Sequence, residues 1–466
     1  MDNTNSEKKA GAGLIRQLGL FDSTMMMMGI VIGSGIFLTT GIMAKSIPSA
    51  SLILLAWIAG GLITLAGALT YAELGAAMPD AGGQYVYLRE AYGPLSGFLF
   101  GWILFLVTMT GSIAALGVAF AEYFGHFFPS LSTENTIFST GISILKHHFH
   151  YALSMGQVVA IVVIILLSAF NYIGVFFGKT IQNILTVIKI GTLLAFISLG
   201  LTVGKGIPVD FTLNPTGFSF SQLIIGFGVA LVAITWAFDG WNNITYAAGE
   251  IKNPKRNLPS SLIFGTLMIT VLYVLTNYVY LLALPVDKMA GVVTVAEKAT
   301  ATLFGSTSAG LLSAAVLISV LGAMNGSIFV GSRVYYAMAK DKLFFQRVGD
   351  VHPRFRTPAF AIFIQAIWAC ILTVSGTFEQ LFTFVVFITV LFYVATAASV
   401  FTLRKKFPDL PRPYKTLGYP MTPVVFILAS LGILINTLIE KPVESLAGLG
   451  FTIIGIPVYY FWKKKK

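Results

Sequence analysis

Twelve apolar runs follow one another along this chain, at about 22–46, 49–78, 94–125, 153–172, 183–203, 219–248, 260–284, 306–339, 358–376, 379–403, 420–438 and 445–462. Each, as a helix, reaches across the ~30 Å of a hydrocarbon core. Lipid offers backbone N–H and C=O groups no partner, so only helices or a closed barrel can span it. With 56% of residues hydrophobic and 11% charged, the sequence reads as an all-α integral membrane protein. The first run follows Lys8, Lys9 and Arg16. It is too long for a signal-peptide core and lacks a small-residue cleavage pattern, so it reads as a retained span behind a tail of residues 1–21.

The formal net charge of +11 marks topology rather than a nucleic-acid partner. An even number of spans places both ends of the chain, including the tail 463–466, on one side. With that side inside, 22 of the 30 Lys and Arg residues fall in inner segments and six (Lys45, Lys146, Lys205, Lys288, Lys298, Lys441) in outer ones, leaving Lys189 and Arg333 within spans. The positive-inside rule then predicts cytoplasmic termini in a cell membrane. His126, His147, His148 and His150 lie in the longest outer loop and His352 in an inner one; no acid or cysteine lies near "HHFH", so a wetted loop is expected there rather than a metal site. Cys370, the single cysteine, sits inside a late span, where it serves packing.

Five runs lie between residues 22 and 203 and five more between 219 and 403, with 420–462 supplying the last two. An odd number per half inverts the second half in the membrane relative to the first. The first span of the first half is interrupted by Gly33-Ser34-Gly35, and the first span of the second by Asp239-Gly240 within "TWAFDGWNN". One such glycine group is explained by close helix packing. Matching interruptions in both halves point instead to unwound backbone at mid-membrane, where exposed N–H and C=O groups need a polar occupant. A helix N-terminus favours an anion and a C-terminus a cation. The N–H groups of Ser34, Gly35 and Ile36 would take a carboxylate, and carbonyls near Val31, Trp236 and Asp239 an ammonium. An α-amino acid carries both groups on one carbon.

The strings "GSGIF" (33–37), "GALTYAELGAAMPDAGGQYVYLREAYG" (67–93), "FDGWNNITYAAGEIKNPKRNLP" (238–259) and "GAMNGSIFVGSR" (322–333) resemble, in order, the signatures of the amino acid–polyamine–organocation superfamily, and within it the L-type amino acid transporters, bacterial type. The resemblance covers nearly the whole chain. It implies a five-plus-five inverted-repeat fold with broken helices 1 and 6 and alternating access around a midplane site. Carried over by position, Ser34, Gly35 and Ile36 match the carboxylate binders, beside Gly33 at the break, Trp236 the aromatic gate that closes over substrate from outside, and Asn242 a position near substrate. Asn242 reads equally as a polar residue that satisfies unwound backbone.

Asp239 could pair the ammonium, carry a proton, or hydrogen-bond local N–H groups in water. Lys189 in "TVIKIG" could snorkel to the inner interface; by resemblance it matches a lysine that occupies a cation site beside the first span in sodium-independent relatives. Glu73 and Glu122 read as wetted or interfacial, and Arg333 as snorkelling inward. Thr108, Ser112 and Asn325 are candidates for the wall facing the substrate side chain.

The expected activity is sodium-independent exchange of neutral amino acids, with proton-coupled uptake or a membrane amino-acid sensor or channel as alternatives. No GxxxxGK[ST] loop is present, which disfavours a nucleotide-driven pump. No histidine stands at membrane depth for hydrolysis, so no enzyme, metal or cofactor is expected. The expected partners are the amino acid and lipid. No outer loop holds a cysteine, so the disulfide-linked ancillary subunit of animal L-type members is not expected.

Overall fold

The computed structural model describes residues 13–144, 147–213, 218–292, 294–305, 308–375 and 378–464. Ten of its helices are long and apolar enough to cross a membrane. An eleventh span is the bent pair Leu20–Val31 and Gly35–Ser46, whose axes meet at 41°. The twelfth is the 17-residue helix Ala359–Ser375, which at 1.5 Å per residue is about 25 Å long. The chain is thus a multi-pass helical membrane protein, and twelve spans, an even number, bring Lys464 back to the face from which Leu20 sets out, here called the terminal face. Large side chains such as Leu62, Ile165, Val271, Leu428 and Ile453 are exposed around it, as a lipid solvent allows.

Three segments depart from the sequence expectation. The fifth span begins at Val175 rather than near residue 183. Its early polar residues face protein instead of water: Lys179 pairs with Asp22 at 3.1 Å, Asn183 Nδ2 donates to Asp22 Oδ1, and Gln182 Oε1 accepts from Asn325. Between the second and third spans, outside the twelve apolar runs, lies a short helix, Gln84–Tyr92, whose Tyr85 hydroxyl and Arg89 guanidinium both reach Asp341. The long loop after the third span carries an antiparallel hairpin, Thr136–Ile144 with His147–Ser154. The side chains of His147, His148 and His150 lie outside the described residues, as do Lys8, Lys9, Lys146, Lys465 and Lys466.

The two interrupted spans meet at their breaks. A Cβ built on Gly35 would stand 2.8 Å from Ala237 Cα, so only glycine lets the second half of span 1 lie this close to span 6. The packing reading of that glycine and the unwound-backbone reading therefore both hold. From the seventh span the Tyr273 hydroxyl lies 3.0 Å from the Val31 carbonyl oxygen and 3.2 Å from that of Ala237, so one proton serves the ends of both half-helices. Toward the terminal face the gap is sealed. Gln17 and Leu18 donate backbone N–H groups to the Glu250 carbonyl at 2.8 and 2.9 Å, and Lys252 donates to Leu18 at 2.8 Å.

Candidate functional site

Helix Leu20–Val31 ends where Ile32 donates its N–H to Met28, and helix Gly35–Ser46 begins after Gly33 donates to Val31 at 2.7 Å. Phe37 donates back to Ser34 at 3.1 Å. Among the described residues the N–H groups between these, those of Ser34, Gly35 and Ile36, have no acceptor, and neither does the Ser34 hydroxyl. They form the positive end of a helix and suit an anion. The carbonyl freed opposite them is that of Ile30, which receives no donor, whereas the Val31 carbonyl already accepts from Gly33 and Tyr273. Of the two, Ile30 is therefore the better placed for a cation.

The sixth span is helical over Phe220–Ala237, turns through residues 238–242, and resumes as a 3₁₀ helix over Asn243–Glu250. Gly240 has φ +92°, a conformation that glycine alone adopts readily. Trp236 closes the last turn before the break. Asp239 follows, its N–H on the Trp236 carbonyl at 3.0 Å and its Oδ1 accepting from the Tyr393 hydroxyl at 2.7 Å. The carboxylate is thus tied to the tenth span rather than released into water.

Both breaks line one cavity of ≈ 290 Å³. Its walls include Val31, Gly33, Ser34, Gly35, Trp236 and Asp239, together with Thr108 and Ser112 of the third span. The lining continues along Leu38, Thr39 and Ile42 to the exposed Glu122, away from the chain ends. The cavity accordingly opens to the face opposite the termini. Its floor is Gln84 and Tyr246.

Lys189, 3% exposed, lies behind the first break. Its Nζ donates to the carbonyl oxygens of Gly29 and Ile32, both at 2.7 Å, where the interrupted helix leaves acceptors without their own N–H partners. It stands 14 residues into a helix that starts at Val175, about 21 Å along it, too deep to snorkel. Gly322 of the eighth span makes the room, since a Cβ there would sit 2.8 Å from Nζ.

Four side chains stand elsewhere than expected. Asn242 is fully buried under the floor and does not line the cavity. Its Nδ2 donates to Gln84 Oε1 at 2.7 Å and to the Tyr246 hydroxyl at 3.2 Å, so its bonds go to side chains of the floor and not to unwound backbone. Asn325 is likewise buried, bonded to Asn171 and Gln182. Glu73 is not wetted: Arg404 grips both its oxygens at 2.7 and 2.8 Å, and the Thr416 N–H adds a third bond. Arg333 does not snorkel, because Glu250 meets it at 2.9 Å with both side chains fully buried and Phe329 lies under its guanidinium. Ile36 is fully buried and does not line the cavity, although its N–H also lacks an acceptor among the described residues. Sequence reading missed Gln84, Tyr246, Tyr273, Tyr393 and Glu250. All five lie on segments remote in sequence from the first break, and only Gln84, Tyr246 and Glu250 fell inside the quoted strings.

Residues 18–460 match the model of the amino acid permease family. The chain belongs to that family. The permease is 33% identical over 460 residues to the serine/threonine exchanger SteT of Bacillus subtilis (strain 168), covering 97% of this chain and 98% of that one. It is 30% identical to the human large neutral amino acids transporter small subunit 2 (98% of this chain, 82% of that one) and 29% identical to the human b(0,+)-type amino acid transporter 1 (98% and 90%). The permease is therefore an APC-superfamily transporter of the L-type group and not an enzyme, with the broken-helix architecture of that fold.

Proposed function

We propose that this permease exchanges neutral α-amino acids without sodium across the cell membrane, with both termini in the cytoplasm. The observation that carries the reading is the row of acceptor-less N–H groups at Ser34 and Gly35, continued by Ile36 just behind them, on the wall of the same cavity that the carbonyl end of the broken first helix lines. A carboxylate and an ammonium on one carbon match the two. The cavity, ≈ 290 Å³, is at the small end of ligand pockets, as suits an amino acid. Trp236 serves as the aromatic lid on the distal side, and residues 22–203 and 219–403 act as the two inverted repeats that rock around the site. The exchanger SteT supports serine or threonine as cargo, and the 22-to-six bias of basic residues supports the orientation. The sole cysteine, Cys370, lies in the ninth span, so no disulfide-linked subunit takes part.

Counterflow of labelled amino acid into preloaded proteoliposomes tests the reading. Exchange is expected, and an amino acid amide should compete poorly against the free acid because it lacks the anion. Equal competition by amide and acid would remove the N–H row from the site. A second reading, proton-coupled uptake, is favoured by Asp239 at the cavity wall with its Tyr393 partner. Net proton entry accompanying substrate into sealed vesicles selects it over exchange.

A further inference from the structure

The third span is not one continuous α-helix. It runs α-helical over Pro94–Ile103, opens into a π-helical turn at Leu104–Thr108, and resumes over Met109–Phe127. A π-turn carries one residue more than an α-turn and rotates everything after it by about 100°. Continuing the α-helical face of Phe100, Ile103 and Leu104, the cavity-facing line would pass through Val107, Gly111 and Ala114. It passes instead through Thr108, Met109 and Ser112, while Val107 is buried in a separate apolar cluster with Ile103 and Ile388.

Widened turns leave backbone carbonyls poorly paired, and here three consecutive ones each receive a side-chain donor. Tyr335 of the eighth span donates its hydroxyl to Leu104, Thr110 donates to Phe105 at 2.6 Å, and Trp368 of the ninth span donates its indole N–H to Leu106 at 3.0 Å. The Phe105 ring is held on the same side by Tyr335, Phe344 and Trp368, at centroid distances of 5.1, 5.3 and 6.3 Å. The turn is thus clamped from outside the cavity by two neighbouring spans.

What the rotation delivers is hydroxyl groups. Serine and threonine inside these helices usually donate to the carbonyl four residues back, as Thr64, Thr70, Thr235 and Thr270 do. Thr108 and Ser112 have no hydrogen-bond partner among the described residues, and both line the cavity. We propose that the π-turn is a specificity element: it presents the Thr108 and Ser112 hydroxyls to the substrate side chain, selects small hydroxyl-bearing α-amino acids, and is positioned by Trp368 and Tyr335. This rests on the amino acid reading of the cavity and adds which residues read the substrate side chain and what positions them.

Counterflow by the purified full chain, reading apparent KM for serine and for alanine, tests it. The parent is expected to favour serine. Thr108→Val, which removes the hydroxyl at nearly constant volume, should lower the serine-over-alanine ratio by about 3- to 10-fold, the factor one net hydrogen bond carries. Trp368→Phe keeps the ring against Phe105 but deletes the N–H donor, and should lower the same ratio with alanine transport largely retained; Tyr335→Phe gives an independent variant with the same expectation. A parent with no serine preference overturns the proposal, as do Trp368→Phe and Tyr335→Phe variants that slow serine and alanine equally. A parent that exchanges no amino acid at all would instead overturn the proposed function, so the two failures are distinct.

Discussion

Lys189 shows how much a single side chain can decide in this fold. Its ammonium bonds to the Gly29 and Ile32 carbonyls, in a place that is oxygen-lined and closed to water. A sodium ion would need those same oxygens, which the Lys189 Nζ already occupies. Full exchange is therefore expected when choline replaces sodium, and Lys189→Ala, reconstituted at matched amount, should lose exchange or run markedly slower. Strict sodium dependence in the parent, or a fully active alanine variant, would reduce Lys189 to a packing residue. Gly35 carries the opposite lesson. Any side chain there drives into the Ala237 backbone, so a substitution at Gly35 reports on helix approach as much as on anion binding. Competition between acid and amide probes the N–H row without disturbing the packing. The presence of a lysine at 189 was legible in the sequence, but its depth was not. Depth depended on where the fifth helix starts, and that was set by the Asp22 and Asn325 contacts of Lys179, Asn183 and Gln182.

At the scale of elements, the seal toward the terminal face depends on the short 3₁₀ piece of span 6 docking on span 8. Its anchor is the Glu250–Arg333 pair, bidentate and out of contact with water. Removing one partner of a buried pair leaves the other charge without compensation and typically costs 3–5 kcal/mol. Glu250→Gln should therefore lower the thermal midpoint of the detergent-solubilised protein clearly, and Glu250→Gln combined with Arg333→Met should recover part of the loss. An unchanged midpoint in the single variant would show that water reaches the pair. Sequence reading treated Arg333 alone and sent it to the interface. An arginine near a span end usually snorkels, and nothing local reveals that a glutamate 83 residues earlier returns to meet it. The π-turn in span 3 is hidden for the same reason: the sequence through residues 104–108 is apolar and unbroken, and the donors that hold the turn come from Tyr335 and Trp368.

For the whole molecule, the sealed terminal face and the cavity that runs out to Glu122 describe a transporter open to one side. With cytoplasmic termini that side is the exterior. Glu122→Cys, in a Cys370→Ala background, should react with a membrane-impermeant maleimide added outside intact cells, and saturating substrate should slow the reaction. Labelling only from inside would reverse the orientation. The sequence by itself determined the number of spans and the two interruptions, though not where the fifth span begins. Lipid forbids unpaired backbone, so apolar length and helix-breaking residues are read almost directly from composition along the chain. It also determined which N–H groups lie free, because these follow from where a helix must restart after Gly33-Ser34-Gly35. It named Thr108, Ser112 and Asn325 alike for the wall, and only the tertiary structure decided which of them face the gap and what holds them there. Asn242 turned under the floor to Gln84, Asp239 was taken by Tyr393, and Thr108 and Ser112 were rotated onto the cavity. Each depends on a partner more than a hundred residues away or on one extra residue in a helical turn, and periodicity along a single span carries no trace of either.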